Sequence, residues 1–126
     1  MSKQNLLLGE SGEKIAVDFL QKHGYKILAK NYKTKLGEID IVALDKDTFC
    51  FIEVKTRTSL LRGLPCEAVS KIKQRQIAKT ALSFLKEKNL LDKKARFDVV
   101  SVVYSGEEPQ LDLIKDAFDL DPSYAY

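Results

Sequence analysis

The chain has 126 residues, 44% of them hydrophobic, with 21 basic and 18 acidic side chains for a net charge of +3. That is enough for one domain around a single core, and the composition is that of an ordinary globular protein. No run approaches the ~18 apolar residues of a membrane span, and the start Met1-Ser2-Lys3-Gln4-Asn5-Leu6-Leu7-Leu8 lacks a signal-peptide pattern.

In chain order, a helix is predicted from about Asn5 to His23, closed by Gly24. Its inward stripe is Leu8, Gly12, Ile15, Ala16, Phe19 and Leu20. Gly9 and Gly12 each cost the helix roughly 1 kcal/mol relative to alanine, which suggests close approach to the sheet or to a ligand. Glu13 lies at the edge of the stripe, so it either stands in solvent or looks toward the sheet. Tyr25 to Tyr32 reads as an edge strand, with Lys30, Lys33 and Lys35 as edge protection or as phosphate contacts.

Gly37 to Thr56 is the organising stretch. Two apolar-rich runs flank the polar turn Asp45-Lys46-Asp47-Thr48, the pattern of a β-hairpin. Alternation puts Glu38, Asp40, Val42 and Leu44 on one face of the first strand, and Phe49, Phe51, Glu53 and Lys55 on one face of the second. A turn symmetric about Lys46-Asp47 pairs Leu44 with Phe49, Val42 with Phe51, Asp40 with Glu53 and Glu38 with Lys55. Glu38 with Lys55 is explained by an ordinary cross-strand ion pair. Asp40 opposite Glu53 is not, because carboxylates with Cβ atoms ~4.5–5.5 Å apart repel. A hard cation such as Mg²⁺ or Mn²⁺ between them reverses the sign. Lys55 beside the pair then serves a phosphate or a metal-bound hydroxide.

Arg57 to Glu67 has no periodicity and reads as a loop. Ser70 caps a helix reaching about Asn89, with Ile72, Ile77, Ala78, Ala81, Leu82 and Leu85 as its buried stripe. Lys71, Lys73, Arg75 and Lys79 crowd its first turns, where cations oppose the helix dipole and a phosphate partner would suit them. Phe97 to Tyr104 reads as a buried central strand, reached by a crossover and parallel to a hairpin strand. A turn at 105–109, a short strand at Leu111–Ile114 and a frayed tail at 119–126 complete a single domain with its core at about 5–118. Residues 105–126 carry a net −5, so the first 104 carry +8, a distribution that suits a polyanion. Cys50, Cys66 and His23 do not form a zinc-site pattern, and both cysteines are expected as reduced thiols in the cytoplasm.

Asp40 followed by Glu53-Val54-Lys55 resembles the motif of the PD-(D/E)xK nucleases, with Ile39 where the naming proline would stand. Gly12-Glu13 with Ala16, Gly37-Glu38-Ile39-Asp40, Glu53-Val54-Lys55-Thr56-Arg57, Glu67-Ala68-Val69 and Arg96-Phe97-Asp98-Val99-Val100 together resemble the bacterial YraN family, which is similar to archaeal Holliday junction resolvases. The resemblance implies an α/β, restriction-endonuclease-like fold, a mixed sheet of four to five strands flanked by helices. It also turns Glu13 toward the metal. The function expected is metal-dependent hydrolysis of DNA phosphodiester bonds, selective for structure, with branched DNA implied by the resemblance alone. Asp40, Glu53 and Lys55 are the expected catalytic residues. Asp40, Glu53, Glu13 and Glu38 are the expected ligands of Mg²⁺ or Mn²⁺, and Arg57, Lys71, Lys73 and Arg75 the expected nucleic-acid contacts. The expected partners are DNA and a second copy of the chain in a homodimer, with no membrane. The competing reading is a nuclease-like module that binds nucleic acid without cutting it; a third is a scaffold whose carboxylates only pair with lysines.

Overall fold

The computed structural model describes residues 3–57, 70–104 and 108–118. Glu67-Ala68-Val69, most of the Arg57–Glu67 loop, Cys66 and the 119–126 tail lie outside them. Among the described residues the elements are α1 (Lys3–Lys22), β1 (Lys26–Thr34), β2 (Gly37–Asp45), β3 (Thr48–Arg57), α2 (Lys71–Glu87), β4 (Lys94–Tyr104) and β5 (Pro109–Phe118). The strands form one mixed sheet in the order β1-β2-β3-β4-β5, with β3 and β4 parallel and the other neighbours antiparallel. This α/β architecture is consistent with a restriction-endonuclease-like fold. Among the described residues no helix is long and apolar enough to cross a membrane.

The hairpin turn falls where the sequence puts it: Asp45 pairs with Thr48, and Lys46 takes the left-handed φ of +58°. One helix covers each face of the sheet. Ala16 and Leu20 of α1 pack on Ile41, Ala43, Cys50, Ile52, Val100 and Val102. Ile77, Ala78, Ala81, Phe84 and Leu85 of α2 pack on Ile39, Val42, Phe51, Phe97 and Val99. Burial pushes the Cys50 thiol up to about 12, so it stays a neutral core group. Ile72, expected in the buried stripe of α2, is instead 68% exposed. Ile72 lies on the helix face away from Ile77, Ala81 and Phe84, and Phe84 supplies the apolar bulk of the buried stripe. The last strand is longer than expected, because β5 follows β4 through an irregularity between Phe97 and Val99.

Ser70 caps α2 as its sequence suggests, its hydroxyl accepting the Lys73 N–H at 3.2 Å. Gly37 lets β2 lie close under α2, since a Cβ there would stand 3.0 Å from Thr80 Oγ1 and 3.2 Å from Gln76 Cβ. Gly12 does the same for α1 over β3. A Cβ at Gly12 would overlap Thr56 Oγ1 and lie 3.3 Å from Thr56 Cβ. Gly12→Ala should therefore lower stability by about 1–3 kcal/mol in urea unfolding, despite the better helix propensity of alanine. Adding Thr56→Ala should make the pair less harmful than the sum of the single changes. A neutral or stabilising Gly12→Ala would show that α1 shifts freely on the sheet.

Candidate active site

The sheet opens where the hairpin's acids lie. β2 and β3 pair from Asp45↔Thr48 to Ile41↔Ile52, and there the ladder stops. Beyond it β2 stays with β1, through Tyr32↔Ile39, Lys33↔Glu38 and Thr34↔Gly37, while β3 stays with β4, through Glu53↔Val99 to Arg57↔Val103. The expected pairings Asp40↔Glu53 and Glu38↔Lys55 are therefore absent from the ladder, although the register before them is as predicted. Asp40 fills the gap itself, its Oδ2 accepting the Val54 N–H at 2.8 Å.

Alternation also breaks at this point. Ile39 packs in the α2-side core and Ile41 in the α1-side core, although two residues apart they should share a face. Asn31, falling between the pairs Lys30↔Ile41 and Tyr32↔Ile39, takes a left-handed φ of +52°. The face of Val42 is thus interrupted at Asp40, while Glu38 returns to the α2 side. Asp40 stands between the two faces and lines a cavity on each. The α2-side cavity, about 230 Å³, is bounded by Glu38, Asp40, Glu53, Lys73, Gln76 and Ile77. The α1-side cavity, about 570 Å³, includes Glu13, Lys14, Asp18, Lys30 and Asp40.

Glu53 is the most buried of the site's charged groups, with a side chain 5% exposed. Its Oε1 is paired with the Lys73 ammonium and lies 4.0 Å from Lys55 Nζ, whereas Oε2 is buried without a hydrogen-bond partner. Burial, then the charge of Glu53, pushes the Asp40 carboxyl up to about 6, against the opposing pull of the Val54 N–H and the Lys73 ammonium. Burial and the neighbouring Lys73 lower the proton affinity of Lys55.

The donor set suits a hard divalent cation in one particular way. Among the described residues no three His, Cys, Asp or Glu side chains converge as a ready-made cluster. Glu13 and Glu38 line opposite cavities, so the structure does not gather the four expected ligands at one point. Asp40 and Glu53 do share a cavity, and the unpartnered Glu53 Oε2 is an orphaned acceptor. Two carboxylates completed by water and substrate phosphate are an ordinary arrangement for Mg²⁺.

The basic residues divide. Lys55 and Arg57 follow Glu53 at alternate positions of β3, while Lys71 and Arg75 are exposed on the first turns of α2. Lys73, expected on nucleic acid, is turned inward onto Glu53. Sequence reading missed this contact. The parallel crossover held the signal, because it returns the start of α2 to the C-terminal end of β3, where Glu53 and Lys55 lie.

Comparison with known proteins locates the whole site inside one family. The model of the uncharacterised protein family UPF0102 matches residues 12–102, from Gly12 in α1 to Val102 in β4. The chain belongs to UPF0102. This is the YraN family expected from the motifs. Among its relatives, a UPF0102 protein of Geobacter metallireducens is 52% identical over 120 residues, covering 95% of this chain and 98% of that protein. A UPF0102 protein of Syntrophus aciditrophicus is 49% identical over 117 residues, covering 93% and 92%. A UPF0102 protein of Caldanaerobacter subterraneus subsp. tengcongensis is 47% identical over 107 residues, covering 85% and 88%. UPF0102 membership thus spans Asp40, Glu53, Lys55 and Lys73 together.

Proposed function

We propose that this UPF0102 protein is a cytoplasmic, metal-dependent endonuclease that hydrolyses DNA phosphodiester bonds and selects its substrate by structure, with branched DNA as the class the family resemblance favours. The observation that carries the reading is the Asp40–Glu53 pair at the opening of the sheet, a half-buried carboxyl driven toward neutrality beside a buried one, with Lys55 on the strand of Glu53. Bound there, Mg²⁺ or Mn²⁺ would supply a water of lowered pKa and neutralise charge on the phosphoryl oxygens. Asp40 and Glu53 would hold the ion, and the Val54 N–H fixes the Asp40 carboxylate in place. Lys55 orients the scissile phosphate or the attacking water. Arg57, Lys71 and Arg75 hold flanking phosphates, contacts that carry no base sequence.

The second reading, a module that binds DNA without cutting, draws support from the Lys73–Glu53 pair, which neutralises one of the two acids. Cleavage assays on linear, flapped, single-stranded and four-way DNA, with and without Mn²⁺, separate the two. Lys55→Ala should abolish cleavage and leave DNA affinity nearly unchanged. Lys71→Ala with Arg75→Ala should weaken binding to all sequences alike and flatten the plot of log affinity against log salt by roughly 0.9 per lost phosphate contact. Lys73 is left intact in that pair because of its bond to Glu53. DNA binding without Mn²⁺-dependent cleavage of any substrate would leave the binding module. An unchanged salt slope would make the start of α2 a solvated face only.

A further inference from the structure

Lys73 belongs to a helix start whose neighbours Lys71, Ile72 and Arg75 are exposed, yet its ammonium is drawn down onto Glu53 Oε1. The same oxygen has Lys55 Nζ at 4.0 Å, so two ammonium groups attend one buried carboxylate oxygen while Oε2 has no partner. Lys73 also lines the 230 Å³ cavity that Asp40 and Glu53 share. Resting on the metal-dependent reading above, the geometry points to Lys73 as a built-in counter-ion of Glu53 that a divalent cation must displace in order to bind.

The reasoning is electrostatic. A cation held between Asp40 and Glu53 would occupy the space beside the oxygen that Lys73 contacts, and like charges at that separation repel strongly away from bulk water. Leaving both cations out would leave Glu53 with Lys55 alone, at 4.0 Å, and a poorly paired buried carboxylate is costly. One positive group therefore replaces the other. Lys73 is the one free to move, with a side chain 39% exposed against 24% for Lys55. Once released, its ammonium is available to a substrate phosphate at the cavity that Lys73 lines. Phosphate and divalent cation should thus assist each other's binding, each by the same factor.

Mn²⁺ binding to the full chain, measured by calorimetry without DNA, tests the exchange. Lys73→Gln should bind Mn²⁺ about tenfold more tightly than the wild type, a size ordinary for coupled sites. Lys33→Gln removes the same charge beside Glu38 on the neighbouring strand without touching Glu53, and should change affinity less than about twofold. Equal Mn²⁺ affinity in wild type and Lys73→Gln overturns the counter-ion role and leaves the metal site standing. No Mn²⁺ binding in any of the three proteins overturns both. The wild type provides an independent measurement by acylation of lysines with an activated ester, read by mass spectrometry. Saturating Mn²⁺ should raise labelling of Lys73 several-fold over that in EDTA and leave Lys33 unchanged. Constant labelling of Lys73 in Mn²⁺-bound protein also overturns the exchange.

Discussion

Asp98→Ala should cost about 3–5 kcal/mol of stability, the usual penalty for removing one partner of a buried charge pair. Asp98 is fully buried in β4 and is held by two donors. Arg96 Nε donates to both of its oxygens, at 3.0 and 3.1 Å, and the Asp116 N–H donates to Oδ1 at 2.9 Å. Arg96 in turn donates to the Tyr25 hydroxyl at 2.7 Å and to Asp45 Oδ2 at 2.8 Å, joining β1's entry, the hairpin turn and β4. Alanine would leave the guanidinium with Asp45 and the Tyr25 hydroxyl and would strip the Asp116 N–H at the irregular point of β5. A domain of this size has about 5–15 kcal/mol of stability in all. The loss should appear as a fall in melting temperature on the order of 10–20 °C. Metal binding at Asp40 and Glu53 should be kept in the protein that remains folded. A loss below about 1 kcal/mol would mean that the Arg96 cluster is replaced by water without harm.

Asp40→Asn should do the opposite at neutral pH. The amide oxygen still accepts the Val54 N–H, and the repulsion with Glu53 disappears, so stability should be equal to or above the wild type by up to about 1–3 kcal/mol. Folded Asp40 keeps its proton to about pH 6, whereas in the unfolded chain the group titrates near its ordinary value of 3.8. Between those two values the folded state binds the extra proton, so this carboxyl makes stability fall as pH rises through the window. Asp40→Asn should remove that slope. It should also abolish both stabilisation by Mn²⁺ and cleavage. In the wild type, Mn²⁺ affinity should weaken below about pH 6 as the ion competes with a proton. Asp40→Ala, which leaves the Val54 N–H bare, should instead cost about 1–3 kcal/mol. If Asp40→Asn is as damaging as Asp40→Ala, the repulsion between the acids is not what sets the site's energetics.

Sequence carried the fold further than it carried the site. The hairpin was legible because one polar turn between two alternating runs leaves a single register, and that register is found from Asp45↔Thr48 to Ile41↔Ile52. The parallel pairing of β4 followed from an apolar strand placed after a long helix. Ladder ends have no such signature. Whether β2 and β3 stay paired past Ile41 depends on β1 and β4 competing for them, and no local pattern in Gly37–Thr56 encodes that competition. Ile72 misled by its apolar character: five residues before Ile77 it falls outside the i, i+4 stripe and faces solvent, and Lys73 holds the inward position of that turn. Lys73 and Asp98 were hidden by their partners. A lysine in a basic helix start and an aspartate in an apolar strand acquire meaning from Glu53 and Arg96, which other elements deliver.

The parallel β3–β4 pairing joins residues far apart in the chain, from Thr48↔Lys94 to Arg57↔Val103. A nascent chain can close the β1–β2–β3 meander from local contacts soon after Arg57 has been made. The next neighbour of β3 is then still unsynthesised, so the apolar segment Thr48–Arg57 waits as an open sheet edge. Closing so long a loop makes docking of β4 a slow step of folding. Until it docks, Glu53, Lys55 and Arg57 place charges along that edge and discourage its pairing with another chain. Charged residues that stand at the candidate site in the finished protein thus also guard an open apolar strand edge during folding.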